Sequence, residues 1–169
     1  MVPPKKKTAK LKRMADQEED AEALLSGFLA KYTPEIQAIA KGARKKLRSR
    51  LQGATELVYD NYNALAIGYG PSERASEAII SLALYPRWVS LFFLQAKGLR
   101  DPYRLMQGKG NVARHIVLQG ADDIDLPGVK SLILQVLGTA KVSIDSRARR
   151  RLIIKSVSEK QRPRRPAKS

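Results

Sequence analysis

The chain has 169 residues, 43% of them hydrophobic, with no cysteine and a formal net charge of +16. This length favours one domain with a real core, and the missing cysteines exclude disulfides, thiolate metal sites and cysteine nucleophiles. No apolar run approaches the roughly 20 residues that cross a bilayer, and no apolar stretch follows the first charges, so we expect a cytoplasmic protein without a membrane partner.

The positive charge is concentrated at the two ends of the chain. Residues 1–14 carry +6 and residues 146–169 carry +9, which leaves +1 for the middle. Prolines and repelling like charges favour extended, solvated chain. We therefore predict a basic disordered N-terminal tail (1–15), a folded domain (16–145) and a basic, largely disordered C-terminal tail (146–169). Residues 152–154 interrupt the last tail and could form a packed turn or strand.

Helical periodicity marks the first part of the domain. Apolar residues at helical spacing predict an amphipathic helix over residues 17–31. Thr33 then caps a second helix that begins at Pro34 and ends near Gly53. On that helix Ile36, Ile39, Ala40, Ala43 and Leu47 share one face, while Lys41, Arg44, Lys45 and Arg48 fall on the other.

The middle of the chain predicts strands, over residues 65–69, 76–84, 88–94 and 112–118. Asp125 is placed to cap a closing helix over residues 127–137. The predicted fold is α+β, with an antiparallel sheet of about four strands packed by N-terminal and C-terminal helices.

Several segments of this domain resemble the YdhG-like domain family. They are Glu56–Asn63, Ile79–Leu84, Leu91–Phe93, Leu99–Pro102, Leu105–Gly110 and Arg114–Ile116, and the resemblance covers roughly residues 20–140. It implies a small domain of unknown function, similar in outline to frataxin, some of whose relatives are associated with iron. Its motifs look structural, so it implies a fold more than an activity.

The basic tails predict electrostatic attraction to phosphate backbones. The alternative is that they only keep the protein soluble or bind polyanions without purpose. The candidate nucleic-acid-binding residues are Lys5, Lys6, Lys7, Arg149, Arg150, Arg151, Arg162, Arg164 and Arg165.

A glycine loop suggests a second kind of site. Gly108-Lys109-Gly110 precedes a strand, so it is no dinucleotide fingerprint, but it could form an anion nest with Lys109, Arg114 and His115, or be a plain turn. His115 is the only imidazole and lies within a strand, so we assign no catalytic residue.

Carboxylates near the start of the first helix give a third possibility. Glu18, Glu19 and Glu22 belong to an acidic ridge, in a position where frataxin-like proteins also concentrate acids. Hard oxygen ligands bind iron weakly, although acids at a helix start also suit the helix dipole alone.

We predict a non-catalytic YdhG-like binding module, without a cofactor, whose tails associate with nucleic acid or another polyanion. The alternatives are a frataxin-like iron-handling protein and, after it, an enzyme of unknown class. The sequence leaves the oligomeric state open.

Overall fold

The computed structural model describes residues 5–168, with the backbone alone at Lys5 and Lys7. Within this range the chain forms an α+β fold of three α-helices and one six-stranded sheet. The helices are α1 (Lys5–Ala30), α2 (Pro34–Arg50) and α3 (Pro127–Thr139). The strands are β1 (Thr55–Asp60), β2 (Leu65–Gly70), β3 (Ile80–Leu84), β4 (Val89–Phe93), β5 (Arg114–Leu118) and β6 (Arg151–Val157).

The sheet has the order β5-β4-β3-β2-β1-β6. From β1 to β5, each strand pairs antiparallel with the next one along the chain, whereas β6 pairs parallel with β1. The four predicted strands, β2 to β5, pair antiparallel as expected, but the predicted number is wrong, and β6 makes the sheet mixed. The prediction missed β1 because Glu56 and Asp60 interrupt an apolar run, and it left β6 open because that strand lies among arginines.

The hydrophobic core joins one face of the sheet to the helices. Alternate strand residues, including Leu65, Ile67 and Tyr69 of β2, share one buried cluster with side chains of all three helices. Tyr32 ties the connection between α1 and α2 to the sheet, since its hydroxyl donates to the Leu84 carbonyl at 3.0 Å and accepts from the Leu65 amide at 3.2 Å. The helices and the sheet thus form two layers around one core.

The start of α2 follows the predicted capping. Thr33 is the N-cap residue, its hydroxyl accepts from the Ile36 amide at 3.4 Å, and Pro34 opens the helix. Helix α3 also begins at Pro127, as predicted, but Asp125 does not cap it. The N-cap residue is Leu126, without a side-chain cap, because the Asp125 carboxylate is occupied by cations of α2.

Within residues 5–168, regular structure extends into both predicted tails. Helix α1 begins at Lys5, before the predicted residue 17, and its first turns contain good helix formers that extend an already nucleated helix. The C-terminal tail contains β6, which confirms the strand alternative for residues 152–154. Residues 158–165 then continue along the domain, where the Ser158 amide donates to Asp60 and the Arg162 amide to Tyr62. Residues 1–4 of the predicted N-terminal tail lie outside the described range.

Candidate functional site

Helix α2 carries a group of cations outside its buried face. Ile36, Ala40, Ala43 and Leu47 are buried along the inner face. Lys41 and Lys45 are exposed on the other side of the helix, whereas Arg44 and Arg48 flank the buried face and are half-buried. This amphipathic pattern was visible in the sequence, but the partners of the two arginines were not.

Two arginines of α2 bind two carboxylates from other elements. Arg44 Nε donates to Glu56 Oε2 at 2.9 Å, and its Nη2 donates to Glu22 Oε1 at 2.7 Å. Arg48 donates to the same carboxylates, at 2.8 Å to Glu56 Oε1 and at 2.6 Å to Glu22 Oε1. The four charges balance, so this network fixes the two guanidinium groups in place without adding net charge.

The network lies partly inside the protein and shifts the pKa values of Glu22, Arg44 and Arg48. Glu56 in β1 is fully buried, and a buried carboxylate stays ionised only where cations and hydrogen bonds compensate for the lost water. The hydrogen bond from Arg44, together with that from Arg48, lowers the pKa of Glu22 to about 2. Burial alone would lower the pKa of Arg44, but its two carboxylate partners raise it.

A groove of about 490 Å³ opens beside this network. We call it the basic groove; it is lined by Lys41, Arg44, Lys45, Arg48, Ser49, Gln52 and Arg150. Lys41 donates to Gln37 at 3.4 Å. Within the described part of the chain, no ion pair engages Lys41, Lys45 or Arg150. The groove therefore combines two arginines whose charges are neutralised, Arg44 and Arg48, with three cations that can bind an anion.

The acidic ridge lies in an adjoining cavity of about 450 Å³, lined by Ala15, Glu18, Glu19, Glu22, Arg48, Arg149, Arg150, Arg151 and Leu152. Arg48 and Arg150 line both cavities, so the two lie next to each other. Glu22 is held by α2, and Glu18 accepts from Arg149 at 3.2 Å. Among residues 5–168, no group of three His, Cys, Asp or Glu side chains is arranged to hold a metal ion. The hypothesis that this ridge binds iron remains a prediction.

The structure brings together only part of the predicted anion-binding site at the glycine loop. Lys109 and Arg114 line a cavity of about 270 Å³ with Lys97, and His115 is not in its lining. His115 packs against Phe92, with ring centroids 5.1 Å apart. Arg114 Nη2 donates to the Met106 carbonyl at 2.8 Å, so part of its guanidinium already serves the local fold. Gly108 has φ of 110°, a conformation that favours glycine.

The C-terminal arginines have different environments. Arg164 is buried, and its Nη2 donates to Asp60 Oδ1 at 2.9 Å in a pair of which both side chains are almost inaccessible. The same Nη2 donates to the Asn61 carbonyl, and Nη1 donates to the Tyr62 carbonyl at 3.3 Å. Arg164 is therefore a structural residue, and its prediction as a nucleic-acid contact is corrected because no phosphate could reach it.

The other candidate cations remain at the surface. Arg162 is exposed over the Tyr62 ring, 5.6 Å from its centroid, and Arg165 is exposed although its Nε donates to the Lys31 carbonyl. Arg151 pairs with Glu73 at 3.8 Å. Lys6 is exposed on α1, whereas the side chains of Lys5 and Lys7 lie outside the described part.

Comparisons with known proteins give no relative to guide the assignment: no family model, no curated protein and no solved structure matches this chain. Among the described residues, no helix is both long enough and apolar enough to cross a membrane. A functional assignment for this chain therefore depends on its own geometry and charge.

Proposed function

We propose that this protein is a non-catalytic binding module for nucleic acid, and that the basic groove is its contact surface. The observation that carries the proposal is the convergence of Lys41, Lys45 and Arg150 on one groove without an acidic partner for any of them in the described chain. Phosphate groups are the natural counterions for such a surface, because each neutralised phosphate releases condensed cations.

The paired arginines support this role indirectly. Arg44 and Arg48 are held by Glu22 and Glu56, so the groove keeps its shape without an anion present. Because these side chains are already fixed, less conformational entropy is lost when a ligand binds. Because five of the seven lining side chains are basic, the contact recognises mainly phosphates and little sequence.

The test is a matched pair of triple variants in the full chain. Lys41→Ala with Lys45→Ala and Arg150→Ala removes the free cations of the groove. Arg87→Ala with Lys130→Ala and Lys141→Ala removes the same charge from exposed positions outside it. Binding of a mixed-sequence DNA duplex is measured by fluorescence anisotropy at several salt concentrations.

We expect the groove variant to bind more weakly, and its log affinity to fall less steeply with log salt, by about 3 in slope, since each lost phosphate contact removes about 0.9. The control variant should keep the slope of the unmodified protein. Equal losses in both variants would show that net charge alone matters, and a salt-independent affinity would remove the electrostatic mechanism altogether.

The resemblance to YdhG-like and frataxin-like domains is retained as a proposal about the finer fold. The α+β class and the packing of helices on an antiparallel strand meander are compatible with it. It adds no ligand to the proposed function.

A further inference from the structure

The first part of α1 extends beyond the domain. Every described side chain from Lys6 to Arg13 is exposed, and the first buried side chain of the helix is Ala21. This segment therefore gains none of the tertiary packing that normally stabilises a helix. Packing against the core therefore does not explain the features of this segment described below.

Three cations of this segment share one side of the helix. Lys6, Lys10 and Arg13 recur at intervals of four and three, so they share one side of the helix. They line one shallow surface hollow with Ala9, Met14 and Gln17. Lys12 falls on the opposite side. Lys6, Lys10 and Arg13 thus form a cationic face that begins outside the domain.

This arrangement is unfavourable for a helix alone. Lys6 and Lys10 are like charges at i and i+4, which repel, and cations near a helix N-terminus oppose the helix dipole. The first turn contains no acid, and the first carboxylate in the chain is Asp16. A line of external negative charges would relieve both penalties.

We propose that residues 6–13 of α1 form a docking helix for duplex DNA, with Lys6, Lys10 and Arg13 contacting phosphates. This inference rests on the proposed nucleic-acid function and names a second, separate contact. The major groove of B-DNA is about 12 Å wide and admits an α-helix, whereas the major groove of duplex RNA is too narrow. An anionic membrane is the poorer partner, because interfacial helices need a broad apolar face and only Leu11 and Met14 supply large apolar groups here.

The first experiment compares two single-charge variants of the full chain, Lys10→Gln on the cationic face and Lys12→Gln on the opposite side. Affinity for a mixed-sequence DNA duplex is measured against salt concentration. Lys10→Gln should reduce the salt slope by about 1, and Lys12→Gln should leave it unchanged. Equal effects would overturn the docking helix, because a flexible tail does not distinguish the two positions.

The second experiment changes the helix and keeps the charge. Proline at exposed position 15 forces the preceding residues out of the helix, while the packed part can restart there. Ala15→Pro should lower the helical circular-dichroism signal of the free protein and weaken DNA binding, whereas Ala15→Gln should do neither. An unchanged affinity for Ala15→Pro at an unchanged melting temperature would overturn the inference.

Two further arms separate this inference from the proposed function. If the groove triple variant binds DNA normally while Ala15→Pro does not, the groove assignment fails and the docking helix stands. The reverse result removes only the docking helix. Tighter binding of the unmodified protein to duplex RNA or to anionic phosphatidylserine vesicles than to duplex DNA would contradict the choice of partner.

Discussion

Arg164 shows how far the meaning of a single residue depends on its environment. In the sequence it is one of ten basic residues in the C-terminal tail, but in the structure it neutralises the buried carboxylate of Asp60. Replacing Arg164 with Ala would leave that charge with only the half-exposed Lys31, whose Nζ lies 3.7 Å from Asp60 Oδ2, as a cation partner. We expect the free energy of unfolding to fall by about 3 to 5 kcal/mol, as measured by chemical denaturation.

Arg165 provides the control for this prediction. It is the adjacent residue, carries the same charge and is exposed, so Arg165→Ala should change stability by no more than about 0.5 kcal/mol. Combining Arg164→Ala with Asp60→Asn should recover part of the loss because the buried charge is removed. A small effect of Arg164→Ala on stability with a large effect on DNA binding would contradict the structural role.

Glu22 predicts how the stability of the protein depends on pH. Its folded-state pKa is lowered from 4.5 to about 2 by its hydrogen bonds to Arg44 and Arg48, so the unfolded chain binds the proton more readily. The contribution is therefore fully present above about pH 4.5 and is lost as the pH falls towards 2. Since Glu22 is partly exposed, Glu22→Gln should cost only about 1 kcal/mol near neutral pH after solvent screening.

The measurement is urea denaturation of the unmodified protein and of Glu22→Gln at a series of pH values. The difference in the free energy of unfolding between the two proteins should shrink across the same acidic interval. Protonating Glu22 in the unmodified protein removes the same negative charge that the substitution removes in the variant. A difference that stays constant down to pH 2 would show that the carboxylate charge does not contribute.

At the scale of elements, hydrophobic periodicity is sufficient to predict a helix or strand that buries one apolar face. It is insufficient for an element whose buried face also carries charged residues. Helix α2, helix α3 and strands β2 to β5 follow apolar spacing and were predicted near their observed positions. Strand β1 was missed because Glu56 and Asp60 point into the protein, and their compensating cations come from α2 and from residue 164. A local sequence window cannot contain such a pairing.

The same limit applies to the candidate site. The basic face of α2 could be derived from helical spacing alone. The contribution of Arg150 could not, since it reaches the groove only because β6 pairs parallel with β1 and brings residues 149–151 towards α2. Likewise, the sequence suggested that Glu18 and Glu22 form a metal-binding ridge, and the folded structure gives both of them arginine partners.

At the scale of the whole molecule, the C-terminal residues are part of the fold. Strand β6 covers the open side of β1, Leu152 is buried in the core, and Arg164 neutralises Asp60. We predict that deleting residues 146–169 lowers the free energy of unfolding by at least about 5 kcal/mol, from the lost apolar burial and the buried charge left behind. Thermal denaturation followed by circular dichroism would then show a greatly lowered or missing cooperative transition.

A shorter deletion separates folding from charge. Removing residues 167–169 takes away Lys168 but keeps β6 and Arg164, so the melting temperature should stay within about 2 °C of that of the full chain. A fragment ending at residue 145 that melts like the full chain would contradict the role of β6. If it unfolds, weak DNA binding by that fragment reports lost structure and not lost charge. Because β6 also positions Arg150, the contribution of the C-terminal cations must be measured with substitutions in the intact chain.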